Sequence, residues 1–404
     1  LRKARNEKNS QCSSRNIFQH SGGTESGTNK YREINMLNSE IILEKRPFIK
    51  KITFEGPFQM ECGAELKEVT AAYETYGKLN DDKSNVIMVC HALTGDSHAS
   101  AWSDEPYDGE IAPGWWEGAI GKGKPFDPEK YFIICPNILG SCYGSTGPYS
   151  INPETGKRYR ADFPQMTVRD MVKVQKKLID HLGICRIRTI AGGSLGGMQA
   201  IEWALMYPSY VESIIPIATS ARHSAWAIGI NEIQRKVIME DPDWNGGYYD
   251  KQPNKGLESA RMLGMVTFRT PESFQLKFGR KFRRTEHSAF KPFFEVESYL
   301  RYQGEKLVSR YDANTYIYIS RALDLHDVSR GRGTLEEALG LIKAKTLCIG
   351  IDTDFLYPAS EQKEIAFLIP GAEYKEIKSI HGHDAFLIEF EQMDKILKDF
   401  LNVL

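Results

Sequence analysis

The segment Arg188 to Pro208, RTIAGGSLGGMQAIEWALMYP, limits the fold more than any other part of the chain. A β-branched, apolar run meets Gly192-Gly193-Ser194-Leu195-Gly196 and continues as a helix-compatible stretch carrying Met198, Ile201, Trp203, Leu205 and Met206. A serine on so tight a strand-to-helix turn needs glycine neighbours, because Cβ atoms beside it would collide with the backbone. The turn exposes the hydroxyl at a helix N-terminus, where partial positive charge favours a developing anion. Without chemistry, the same segment would be only a Gly-rich helix cap.

The surrounding pattern agrees with such an elbow. NVIMVCHALTG, YFIICPNILGS, VESIIPIATSA and KTLCIGIDTDFLYP are short apolar runs, each leading into a loop. Near-continuous apolar strands alternating with helices predict a mostly parallel central sheet covered on both faces, an α/β class. FIKKITFEGPF and LKEVTAAYETYG predict two strands ahead of it. Between residues 223 and 340 this rhythm stops, and helix-compatible runs such as AWAIGINEIQRKVIMED and DANTYIYISRALDLHD follow one another. The expected organisation is therefore a core of residues 41–222 and 341–404 with a helical insertion at 223–340. Residues 1–40 are polar and lack apolar periodicity, so the expectation there is a disordered arm.

Composition closes off several function classes. The net charge of −1 gives no overall pull towards nucleic acid or an anionic membrane. No apolar run approaches the roughly 20 residues of a spanning helix. Seven scattered cysteines, with no CxxC or Cys/His spacing, argue against a disulfide framework or a zinc site and for a reduced, cytoplasmic setting. GKGKPF lacks the spacing of a phosphate loop, and GGSLGG lacks the register of a dinucleotide fingerprint. The basic run KFGRKFRR (277–284) reads as a solvated helix face, with attraction of an anionic cofactor as the alternative.

A serine hydroxyl is a weak nucleophile without a base. On a strand–turn–helix elbow the partners follow as an acid and then a histidine. Asp352 or Asp354, beyond KTLCIGI, are candidates for the acid, and His381 or His383, beyond AEYKEIKSI, for the base. The residues alone leave both pairs open. The oxyanion donors are expected to be the N–H groups of Leu195 and Leu93, the latter in the loop after NVIMVC. His91 precedes the serine and is expected to be structural.

HALTGDSHA (91–99), PGWWEGAIG (113–121), AGGSLGGMQAIEWA (191–204), DANTYIYISRALD (312–324), DTDFLYP (352–358) and HGHDAFL (381–387) together carry a specific resemblance. From about residue 50 onwards the chain is similar to the homoserine O-acetyltransferases of the α/β-hydrolase superfamily. The resemblance implies an acid at Asp354, a base at His383, and Asp384 as partner of a substrate ammonium. It places Arg222 on the substrate carboxylate and Thr94 among the substrate contacts. A tyrosine expected shortly after Arg222 is missing, since Gly229 falls near its place. It further implies a helical lid that forms a homodimer, and acetyl transfer from acetyl-CoA to L-homoserine through an acyl-serine, a step of methionine biosynthesis. Acetyl-CoA is then a co-substrate, with no bound prosthetic group or metal. A succinyl donor, a serine acceptor, an ester hydrolase with the same three residues, and a non-catalytic binding protein are the rival readings.

Overall fold

The computed structural model describes residues 46, 48–105, 107, 109, 111–283 and 290–404. The expected disordered arm at 1–40 lies outside the described residues.

Strands β1 (Lys50–Gln59) and β2 (Glu65–Tyr76) pair antiparallel, and β3 (Val86–Cys90) and β4 (Phe132–Pro136) follow. Helix α1 (Val168–His181) leads to β5 (Thr189–Gly193), α2 (Leu195–Met206) and β6 (Ser213–Ile217). The eight-stranded sheet has the order β1-β2-β4-β3-β5-β6-β7-β8, where β7 is Lys345–Ile351 and β8 is Glu373–Ile377. β2 joins β4 antiparallel, and every pairing from β4 through β8 is parallel.

The apolar strands are buried because both faces are covered. Along β3, Val86, Met88 and Cys90 enter one core with Met171 and Leu178 of α1 and Met198, Ile201 and Trp203 of α2. The alternate residues Ile87 and Val89 enter a second core with Trp116, Phe126, Met393, Leu397 and Phe400. Successive strand side chains point to opposite faces, so one short sequence serves two cores.

Helices α3 (Ala225–Met239), α4 (Asn254–Thr267), α5 (Pro271–Phe278), α6 (Glu295–Val308), α7 (Ala313–Asp324) and α8 (Leu335–Gly340) lie between β6 and β7. Their starts are set locally: Ser224, Thr270, Asp312 and Thr334 each accept a backbone N–H from the first turn. Helices α9 (Ala359–Leu368) and α10 (Phe390–Leu401) complete the core. No helix among the described residues is long and apolar enough to cross a membrane.

Candidate active site

Ser194 joins β5 to α2 with φ 58° and ψ −124°, a region costly for a residue with a Cβ. Three backbone contacts hold it there. Its N–H donates to the Ile217 carbonyl at 2.9 Å, and its carbonyl accepts from Gly197 N–H at 2.9 Å and from Thr219 Oγ1 at 2.7 Å. The glycines are required by space. A Cβ on Gly192 would lie 2.6 Å from the Cys90 carbonyl oxygen, and one on Gly196 would collide with the same atom.

The ends of β7 and β8 bring one member of each open pair together. Asp354 Oδ2 lies 2.7 Å from His383 Nδ1, and Asp354 Oδ1 accepts the N–H groups of Leu356 and Tyr357 at 2.9 and 3.0 Å. Asp352 instead is exposed and accepts Ser379 N–H, while His381 turns its Nδ1 to Ser273 Oγ at 3.1 Å. Both partners of the Asp354–His383 pair are buried. Burial alone would lower the His383 pKa, but the charge and hydrogen bond of Asp354 outweigh it and hold the imidazole above its ordinary value.

Leu195 opens α2, so its N–H belongs to the helix's unpaired first turn. The second candidate donor loop is pinned from outside. The Leu93 carbonyl accepts Tyr311 Oη at 2.6 Å, and the Thr94 carbonyl accepts Arg310 Nη1 at 3.0 Å. His91 is fully buried, with Nδ1 2.9 Å from the Ala92 carbonyl and Nε2 3.1 Å from Asn137 Oδ1. Burial pushes its pKa down, so a neutral ring braces the loop.

Arg222 is exposed and forms an isolated backbone bridge with Asp327, five residues beyond the end of β6. Gly229 is likewise exposed, with open space where a Cβ would stand. Arg261, on α4, neighbours Phe268. It lies over the Phe268 ring at 5.7 Å, and Phe268 lies 5.9 Å from the His383 ring. Burial and the neighbouring Arg310 lower its pKa, while Asp384 works the other way. The sequence signal was a lone cation inside the small and apolar run GLESARMLGMVTF.

Asp384 pairs with Arg269, its Oδ2 2.9 Å from Arg269 Nε, and its N–H donates to the Phe268 carbonyl at 3.3 Å. Thr270 Oγ1 donates to the Ile380 carbonyl, and Ser273 meets His381. The α4–α5 connection is thus knitted to the loop that carries His383. Of the basic run, Lys277 lies over the Tyr299 ring at 4.4 Å, and residue 284 lies outside the described residues. No group of three or more His, Cys, Asp or Glu side chains suited to a metal ion occurs among the described residues.

Sequence reading also missed Tyr357. Its hydroxyl lies 3.0 Å from His223 Nε2, and its ring sits 5.3 Å from that of His383.

Residues 85–390 match the family model described as the alpha/beta hydrolase fold. The chain is 52% identical over 361 residues to a homoserine O-acetyltransferase of Carboxydothermus hydrogenoformans, covering 87% of this chain and 94% of that protein. It superposes on the crystal structure of homoserine O-acetyltransferase from Bacillus anthracis with a TM-score of 0.81 and 33% identity, over 88% of this chain and 98% of the other. Esterase E22 aligns with a TM-score of 0.79 and 32% identity, over 87% of this chain and all of that one. The elbow, the partner order and these similarities have one conclusion: the chain belongs to the homoserine O-acetyltransferase family, on the α/β-hydrolase fold.

Proposed function

We propose that the protein moves the acetyl group of acetyl-CoA to the hydroxyl of L-homoserine through an acetyl-Ser194 intermediate. The observation that carries this reading is the strained Ser194 turn beside the buried His383–Asp354 pair, in a chain half identical to relatives named for that activity.

In the first step Ser194 Oγ attacks the thioester carbonyl while His383 takes its proton. The N–H groups of Leu195 and Leu93 hold the oxyanion as it forms. The C–S bond breaks, CoA leaves as the thiol with the proton from His383, and acetyl-serine remains. In the second step the homoserine hydroxyl gives its proton to His383 and attacks the ester, and Ser194 departs by recovering that proton. Asp354 keeps the His383 proton on Nδ1, so that Nε2 is the atom that accepts. Acetyl-CoA is consumed as a co-substrate.

An amino-acid acceptor brings one charge of each sign. Arg261 and Arg310 supply a positive recess for the carboxylate, a role that fits Arg261 better than the outward-turned Arg222. Asp384 suits the ammonium, which would displace Arg269. Thr94 lines the same side through its loop.

We read the helices of Ala225–Gly340 as the lid over this pocket and as the surface of a homodimer. Trp226 and Ile233 of α3, Val266 of α4, Leu276 of α5 and Tyr302 of α6 are apolar yet exposed, as a helical dimer face would be. We read the reaction as a step of methionine biosynthesis carried out in the cytoplasm.

Ester hydrolysis is the second reading, favoured by the likeness to esterase E22. CoA thiol release from acetyl-CoA, with and without homoserine, separates the two. Fast release only with homoserine supports transfer. Equal release without any amino acid overturns it, and with it the roles of Arg261 and Asp384. Parallel runs with succinyl-CoA and with serine identify the donor and the acceptor.

A further inference from the structure

The Leu93 N–H has no protein acceptor among the described residues, yet both peptide groups around it are tied down. It belongs to a turn just after β3, closed by the Gly95 N–H, which donates to the Ala92 carbonyl at 3.0 Å. His91 Nδ1 lies 2.9 Å from the same carbonyl oxygen. A peptide group is planar and trans, so its C=O and N–H point in opposite directions. Holding the Ala92 carbonyl therefore aims the Leu93 N–H. The next peptide group is held from a distant part of the chain. The Leu93 carbonyl accepts the Tyr311 hydroxyl at 2.6 Å, across 218 residues of sequence. The two peptide planes that meet at the Leu93 Cα are thus fixed through their carbonyl oxygens, one from within the turn and one from the insertion.

Tyr311 is itself firmly placed. It is fully buried in the connection between α6 and α7, with its ring 5.9 Å from that of Tyr143 and 6.3 Å from that of Tyr316. Gln252 Nε2 donates to the Tyr311 carbonyl at 3.0 Å and to the Val308 carbonyl at 3.2 Å. Asp312, the next residue, caps α7 by accepting the Thr315 N–H at 2.7 Å, and it also accepts the Tyr249 hydroxyl at 2.5 Å. Burial pushes the Tyr311 phenol far up, so it stays protonated. A carbonyl oxygen can only accept, and the phenol is therefore the donor.

We infer that Tyr311 is a positioning residue for acetyl transfer, whose hydroxyl holds, from the insertion, the turn that presents the Leu93 N–H to the oxyanion. No bond forms or breaks on Tyr311. An oxyanion develops on the acetyl carbonyl in both half-reactions, first on attack by Ser194 and then on attack by the acceptor hydroxyl. A residue that aims an oxyanion donor serves both steps alike. The insertion then supplies part of the frame of the oxyanion hole. This inference rests on the proposed reading of Leu93 as a donor.

The test uses the full-length protein. The burst of CoA thiol from acetyl-CoA without homoserine reads the first half-reaction, and kcat/KM for homoserine reads the second. Tyr311→Phe removes one hydroxyl and keeps the ring. It is expected to slow both by the same factor, about 10- to 100-fold, with KM for each substrate unchanged. Tyr249→Phe removes a buried hydroxyl from the same connection without touching the turn, and is expected to leave both half-reactions near wild type. Leu93→Pro deletes the donor itself at a turn position that suits proline, and is expected to cost about 100- to 1,000-fold. The double variant Leu93→Pro/Tyr311→Phe is expected to be no slower than Leu93→Pro, because Tyr311 acts through the N–H already lost. A near-wild-type Tyr311→Phe, unequal factors in the two half-reactions, losses that multiply in the double variant, or a Tyr249→Phe as slow as Tyr311→Phe would each overturn the inference. So would a Tyr311→Phe protein that does not fold, since the hydroxyl would then be a prop of the fold. Should Leu93→Pro not fold, the equality of the two factors and the Tyr249→Phe comparison decide. A folded Leu93→Pro with near-wild-type rates overturns the donor reading itself, and this inference with it.

Discussion

His383 Nδ1 lies 2.7 Å from one oxygen of Asp354, whose other oxygen is occupied by the N–H groups of Leu356 and Tyr357. The carboxylate therefore cannot rotate away from the imidazole without abandoning two backbone donors. Asp354→Asn should keep the fold but present an amide N–H to Nδ1 or misalign the ring. It is expected to lower kcat for CoA release by about 10,000-fold, as loss of the correct tautomer does in other serine enzymes. A loss under tenfold, with circular dichroism unchanged, would remove Asp354 from its role.

The same contact sets the pH profile. A base must be neutral to accept a proton, and the His383 pKa is held above its ordinary value. Activity should therefore fall with decreasing pH from a point above that of an ordinary histidine. Stability runs the other way. The protonated ring is favoured in the fold, so this contribution is fully present below the unfolded-state pKa and lost as pH rises through the folded one. In Asp354→Asn burial is no longer opposed, and the acid limb of the residual kcat/KM should move to lower pH. An unmoved limb would assign it to another group.

Arg261→Met and Arg222→Met should behave differently. Removing a buried guanidinium from its charged partner costs at least about 2 kcal/mol in kcat/KM for homoserine. The acetylation burst, which does not involve the amino acid, should be little changed in Arg261→Met. Arg222→Met should leave both steps close to wild type, since its guanidinium faces Asp327 at the surface. Equal effects of the two substitutions on the homoserine KM would restore Arg222 as a candidate.

Gly196→Ala tests the elbow itself. The new Cβ would meet a carbonyl oxygen of β3, an atom fixed by sheet pairing. The expected cost is about 1–3 kcal/mol or more, read as a lower urea midpoint. Gly340→Ala, at a position with open space, is the control and should not lower the midpoint.

The elbow was legible in sequence because its constraints are local. Glycines, an apolar strand and a helix-compatible run must be neighbours along the chain to make that turn. The acid and the base were legible as loops, but choosing Asp354 over Asp352 and His383 over His381 depends on how two strand ends face each other. The proposed substrate cation depends on the fold in the same way. Arg222 is near a strand end in sequence yet exposed, whereas Arg261, on an insertion helix, lies over Phe268, the neighbour of His383. Tyr357 was within a recognised motif, but its hydroxyl acquires meaning only from His223, which is 134 residues away in the chain.

The seam between residues 268–273 and 380–384 bears on how such proteins can diversify. The proposed acceptor contact, Asp384, and the proposed base, His383, share that seam, although more than a hundred residues separate its two sides in sequence. A transplanted set of insertion helices would bring half of the seam and leave the other half behind. A change of acceptor is therefore expected to need paired substitutions on both sides, and a chimera exchanging the helices alone should disturb the histidine loop before it alters what the protein accepts.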